Sequence, residues 1–133
     1  MVELSLPSNE LSTRILSPVS FEQRLVGVRM TPMAGNVEQP IVSIPEAVSF
    51  LKMASLQQVI AAGQRASVPY IDPRALQAWT RDIFGDEELA EAIGDQVSKG
   101  KNYREQADSA RELLALRVEQ ARDVLASDEQ KDD

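Results

Sequence analysis

From Ser43 onward the chain is punctuated by helix start and stop signals, and the intervals between them suit short packed helices. Ser43-Ile44-Pro45-Glu46 has the form of a capping box, in which the serine oxygen accepts from the Glu46 amide and the glutamate reaches back. Ser55-Leu56-Gln57-Gln58 repeats the form ahead of Val59 and Ile60, and Gly63 ends that helix. Asp72-Pro73 supplies an N-cap and a first helical residue, with Leu76, Trp79 and Ile83 directed inward and Gly85 closing the segment. Asp86 caps the next helix, whose Leu89, Ile93 and Val97 are spaced by four. Its acidic first turn, Glu87 and Glu88, complements the positive end of the helix dipole. Gly100 closes it, and Asn102-Tyr103-Arg104-Glu105 opens the last and longest helix.

These signals predict a mainly α fold of about five amphipathic helices, over 44–54, 56–63, 73–84, 87–99 and 103–126. Ahead of them, Leu25-Val26-Gly27-Val28-Arg29-Met30 alternates as a strand with Val26, Val28 and Met30 on one face. Pro32 and Gly35-Asn36 mark a turn, and Ile41-Val42-Ser43-Ile44 is positioned to pair back, with Pro40 confining it to an edge. A short β-ribbon over 25–44 is therefore expected, packed on a helix because two strands alone are marginal. Val68-Pro69-Tyr70-Ile71 is expected to be extended. Residues 1–20 hold few patterned hydrophobes and are expected to form a flexible N-terminal arm; 21–126 form a single helical domain, and 127–133 an acidic disordered tail.

The charge is distributed unevenly. Residues 1–66 carry five acidic and five basic side chains, and residues 67–133 carry sixteen acidic and nine basic, so the whole net charge of −7 lies in the second half. That excess opposes binding to nucleic acid or anionic membrane. No stretch reaches the ~18 apolar residues a membrane span needs. The first residues lack a basic leader and an apolar run, and a cytoplasmic location is expected.

With neither Cys nor His, the sequence excludes disulfides, thiolate chemistry, zinc sites and histidine acid–base catalysis. No cofactor or metal is expected. Glu87, Glu91 and Asp95 share a helical face, but a row of carboxylates on one helix does not converge on a cation. Gly94 to Asn102 resembles a phosphate-binding loop and fails it, with five residues between the glycines instead of four and Asn102 where Ser or Thr is required. Ser98-Lys99, and Ser49 with Lys52, offer nucleophile–base pairs in principle, though serine at a helix end is usually a cap. Tyr70 beside Asp72-Pro73 either marks a pocket or packs under the helix start. A helix-turn-helix is disfavoured because Glu87-Glu88-Leu89-Ala90-Glu91 occupies the place of a basic recognition helix.

The last helix carries two apolar arcs. At about 100° per residue, with Leu114 at zero, the stripe from Tyr103 to Leu125 lies within about 40°. Leu113, Leu116 and Val124 lie at about −80 to −160°, where a surface helix should be polar. Either the helix is sandwiched and both arcs are core, or the second arc binds a partner. The sequence thus favours a non-catalytic interaction or accessory protein presenting a helical surface to a protein partner or to a second copy, with Leu113, Leu116 and Val124 as candidate contacts. The alternative is a small carboxylate-dependent enzyme or enzyme subunit, with or without a divalent metal.

Overall fold

A computed structural model describes residues 4–31, 35–52 and 68–131. Among the described residues, five α-helices and a small antiparallel sheet make up the fold. Helix α1 spans Asn9–Leu16, strand β1 Leu25–Thr31, β2 Gly35–Ile41, α2 Ile44–Phe50 and β3 Val68–Tyr70. Helices α3 (Pro73–Asp82), α4 (Glu87–Lys99) and α5 (Tyr103–Lys131) complete it. The 56–63 helix expected from sequence lies outside the described residues.

The capping residues form as their chemistry dictates. Ser43 Oγ accepts from the Glu46 amide at 3.2 Å, and the Glu46 carboxylate accepts from the Val42 amide at 2.9 Å. Asp72 accepts from Arg74 N at 2.9 Å, Asp86 from Leu89 N at 3.1 Å, and Asn102 from Glu105 N at 3.0 Å. Each satisfies a helix amide that has no partner inside its own helix. Gly85, with φ at +72°, turns the chain out of α3, while its own amide and that of Asp86 close back on the Arg81 and Thr80 carbonyls.

Helix α5 is the spine, with α1, α2, α3 and α4 all packed on it. Its Ala107, Ala110, Leu114, Val118 and Ala121 are buried. The small alanines let neighbouring helices approach closely, and Leu114 and Val118 fill the space between them. Trp79 is buried in α3 together with Leu76; its ring meets Phe84 edge-on at 4.8 Å between centroids, and its indole N–H donates to the Gln23 carbonyl at 2.8 Å. That bond joins α3 to the turn before β1. At the start of α5, the Tyr103 hydroxyl accepts from Ile71 N at 2.9 Å and donates to Pro69 O at 3.1 Å. Burial raises its pKa, and the nearby Tyr70 adds to the rise while the bond from Ile71 opposes it.

The strands order as β2-β1-β3, all antiparallel, in register Leu25↔Ile41 and Val28↔Tyr70. The ribbon expected from sequence is thus the larger part of a three-stranded sheet. Its second strand, however, is Gly35–Ile41, which takes in the expected turn residues Gly35 and Asn36, and not the expected 41–44, where Ser43 instead caps α2. The segment expected to be merely extended at 68–71 forms the third strand. Leu25, Gly27 and Ile41 face the core, where a Cβ on Gly27 would stand 2.7 Å from the Phe50 ring. Val26, Val28 and Met30 occupy the opposite face. Pro40 lies on the edge strand, where its missing amide costs no ladder bond within the sheet.

Four further expected boundaries change. Residues 1–20, expected to be a flexible arm, contain α1, which packs on α5 with Ile15 and Ser12 fully buried, and Leu4 is buried as well. One inward position of α1 is a serine, so the apolar period that would announce the helix is broken. The 127–133 tail is helical through Lys131, since no Gly or Pro interrupts α5 there. Helix α2 stops at Phe50, short of 54, and α3 at Asp82, short of 84.

Replacing Trp79 with Ala should cost about 3–5 kcal/mol, measured by urea unfolding, because it removes a buried bicyclic ring and its hydrogen bond. Native tryptophan emission should be blue-shifted relative to the denatured chain; an equal maximum in both states would contradict the burial.

Candidate functional site

The most densely bonded polar centre among the described residues is built on Arg117, in the middle of α5. The side chains of Arg117 and Asp86 are each 2% exposed. A guanidinium has five N–H donors, and all five are used. Nε donates to Asp86 Oδ2 at 2.8 Å, and Nη2 to Asp86 Oδ1 at 3.1 Å and to Glu88 Oε1 at 3.0 Å. Nη1 donates to the Ser5 carbonyl at 2.6 Å and to Gln120 Oε1 at 3.0 Å. The fork-shaped pairing with Asp86 is the strong, directional form of the Arg–carboxylate bond. Since Asp86 Oδ1 also caps α4, one carboxylate fixes a helix start and neutralises a buried cation.

Glu88 and Gln120 extend the cluster to the N-terminal segment. The Ser5 amide and hydroxyl both donate to the Glu88 carboxylate, at 2.7 and 2.8 Å, and Gln120 Nε2 donates to the Leu4 carbonyl at 2.8 Å. Two consecutive residues are thus held through both carbonyls, one amide and one hydroxyl, with the Leu4 side chain buried beside them. Desolvation at the cluster pushes the Glu88 carboxyl up; the two Ser5 bonds and the Arg117 charge outweigh it and leave the group below its ordinary value. Chemically this is a recognition arrangement. Every Arg117 proton and both Asp86 oxygens are committed, which leaves no free base within the buried pair.

Sequence reasoning did not single out Arg117. A signal was present: at about −60° on α5 it falls between the two apolar arcs, where a cation is out of place unless paired. Its flank is that of Leu113 and Val124. The structure buries Leu113 in the core, leaves Val124 half-buried, and exposes Leu116 at the margin. The three residues of the second arc therefore do not form one surface. Arg117 and Gln120, on the same flank, hold the chain's own N-terminal segment.

The other candidates lie apart from this centre. Glu87, Glu91 and Asp95 are exposed on α4, with Asp95 paired to Lys99 at 3.1 Å. Among the described residues no group of three His, Cys, Asp or Glu is placed to hold a metal ion. Ser98 donates its hydroxyl to the Asp95 carbonyl at 2.7 Å, as a helix-end serine does. It lines a polar cleft of about 420 Å³ with Asp72, Arg74, Gln77 and Gln106. A second cleft, of about 520 Å³, separates α2 from α5 and is lined by Val48, Ser49, Val118, Glu119 and Arg122. Tyr70 packs against Tyr103 at the start of α5, ring centroids 4.8 Å apart. Among the described residues no helix is long and apolar enough to cross a membrane.

No family model matches the chain, and neither a curated protein nor a solved structure matches it.

Arg117→Ala should destabilise the fold by about 3–5 kcal/mol in chemical denaturation, because it leaves the Asp86 charge buried without its partner. The Glu88 contribution has a defined pH window. A carboxyl whose folded-state pKa is depressed stabilises the native state when ionised, so its contribution is complete above the ordinary value of 4.5 and is lost as the pH falls below it. Glu88→Gln should flatten that part of the acid limb of a Tm–pH profile. Parallel profiles for the variant and the wild type would refute the assignment.

Proposed function

We propose that this protein acts by binding another protein rather than by catalysis, and that the outward face of the sheet is its contact surface. The observation that carries this reading is the exposure of Val26 at 42% and Met30 at 37% on the central strand, flanking half-buried Val28 and opposite exposed Pro40. A strand with one face in water should alternate apolar and polar residues, whereas a strand apolar on both faces is one that is covered on both. Over residues 25–28 β1 is apolar on both faces, with Leu25 and Gly27 closed on the core side by Ile41 and Phe50. Beyond them Arg29 and Thr31 follow on that side while Met30 continues the apolar outer face. Beside it β2 is an edge strand among the described residues, where an extended segment of a partner has access to backbone hydrogen bonds. The contact is therefore placed on the sheet and not on the helical arc of Leu113, Leu116 and Val124.

The enzyme alternative draws less support. The buried carboxylate, Asp86, is saturated by Arg117 and Leu89, and the acids of α4 stand in solvent. The polar cleft beside α3 holds Asp72 and Ser98, both already committed to backbone groups at helix ends. The acidic excess of residues 67–133 makes a polyanionic partner unfavourable, so the partner class is protein, not nucleic acid or anionic lipid.

The test is a Val26→Asp/Met30→Asp double variant, which should keep its circular dichroism spectrum and thermal midpoint within a few degrees because both side chains lie on the outer face. Affinity capture with quantitative mass spectrometry should show loss of a protein retained by the wild type and by Leu116→Asp. Retention of that protein by the double variant would remove the sheet face from consideration.

A further inference from the structure

The cluster around Arg117 holds residues 4–5 in the manner of a peptide-binding site, and it does so independently of the sheet face. Main-chain carbonyls are read by Arg117 and Gln120, a main-chain amide and a serine hydroxyl by Glu88, and the preceding side chain is buried. None of these contacts requires the segment to be covalently joined to the domain. The side chains that hold it come from α4 and α5, more than 80 residues away in sequence. On leaving the site the chain presents Leu6 to solvent at 73% exposure and buries Pro7 before Ser8 caps α1. Among the described residues of this segment, the polar contacts to Arg117, Glu88 and Gln120 are therefore made by Leu4 and Ser5.

We propose that the cleft between the start of α4 and the middle of α5 is a recognition site for an extended segment of a partner protein with an apolar residue followed by serine, and that Leu4–Ser5 occupies it in cis as a displaceable strap. The chemistry sets the preference. Glu88 needs two donors on one residue, which a backbone amide and a hydroxyl supply together, and alanine at that position would leave one carboxylate oxygen without its partner. The preceding residue must be apolar, as Leu4 is. Tethering gives the strap an effective concentration of order millimolar, so an incoming segment competes only by binding more tightly or after the strap is weakened. The site is thereby kept closed to weak ligands.

Full-length Ser5→Pro, which removes both the amide and the hydroxyl donor of the strap, opens the site for the test. The probe is an acetylated, fluorescein-labelled peptide with the sequence of residues 1–8, followed by fluorescence anisotropy. The variant should bind it saturably, at least about tenfold more tightly than the wild type, whose own strap competes. A peptide with alanine in place of Ser5 should bind at least about tenfold more weakly, as expected when a charge-assisted bond is lost. No saturable binding by a folded Ser5→Pro chain, or equal binding by variant and wild type, would overturn the proposal. Wild-type dimerisation that the Ser5→Pro change abolishes would assign the cleft to a second copy of the chain and equally overturn the partner assignment. If Ser5→Pro fails to fold, the wild type itself serves: excess unlabelled peptide should shift the Ser5 amide resonance as the strap is displaced, and an unmoved resonance would overturn the proposal.

Discussion

A guanidinium buried to 2% exposure is stable only when its charge is balanced and its protons are all bonded, and Arg117 meets both conditions by drawing on three separate parts of the chain. Asp86 neutralises it from the start of α4, Gln120 supports it one turn along α5, and Ser5 completes it from the N-terminal segment. The requirement acts in both directions. Helix α4 starts where it does because Asp86 is held, and the N-terminal segment is ordered because the guanidinium and Glu88 offer its backbone partners that water would otherwise supply. Replacing such a pair with apolar groups is often neutral in stability, so its contribution here is better described as specifying one docking geometry for three segments.

Around that centre the packing follows from the choice of small residues on α5. Ala107, Ala110 and Ala121 allow helices to approach on more than one side, and Gly94 on α4 leaves room for the Gln77 side chain of α3. The sheet is attached differently. Its core face is closed by Phe50, which requires Gly27 to have no side chain, and its position relative to the helices is set by two polar ties, Trp79 to Gln23 and Tyr103 to Pro69 and Ile71. Such an attachment secures one face and leaves Val26 and Met30 of the other exposed. The exposed apolar residues of β1 and the strap-filled cleft are therefore separate surfaces with different chemistry, one apolar and shallow, the other polar and specific for backbone groups.

What the sequence alone determined is what depends on near neighbours. The caps at Ser43, Asp72, Asp86 and Asn102, the turn out of α3 at Gly85, the span of α4 and the strand at Leu25 were legible because each rests on residues within four positions, through a side chain bonding its own helix start or an alternation along one strand. The absence of His and Cys likewise excluded whole classes of chemistry without reference to any fold. The tertiary structure decided everything that depends on distant partners. Leu4 and Ser5 carry no periodic signal, and their order comes from Glu88, Arg117 and Gln120, which no local pattern connects to them. Val68–Tyr70 became a strand only because β1 offered a free edge in register. The second apolar arc of α5 was visible in the sequence, but whether it faced solvent or core turned on where the N-terminal segment settled. What selects that position is a buried ion pair and its hydrogen bonds, which a one-dimensional pattern of apolar residues does not record.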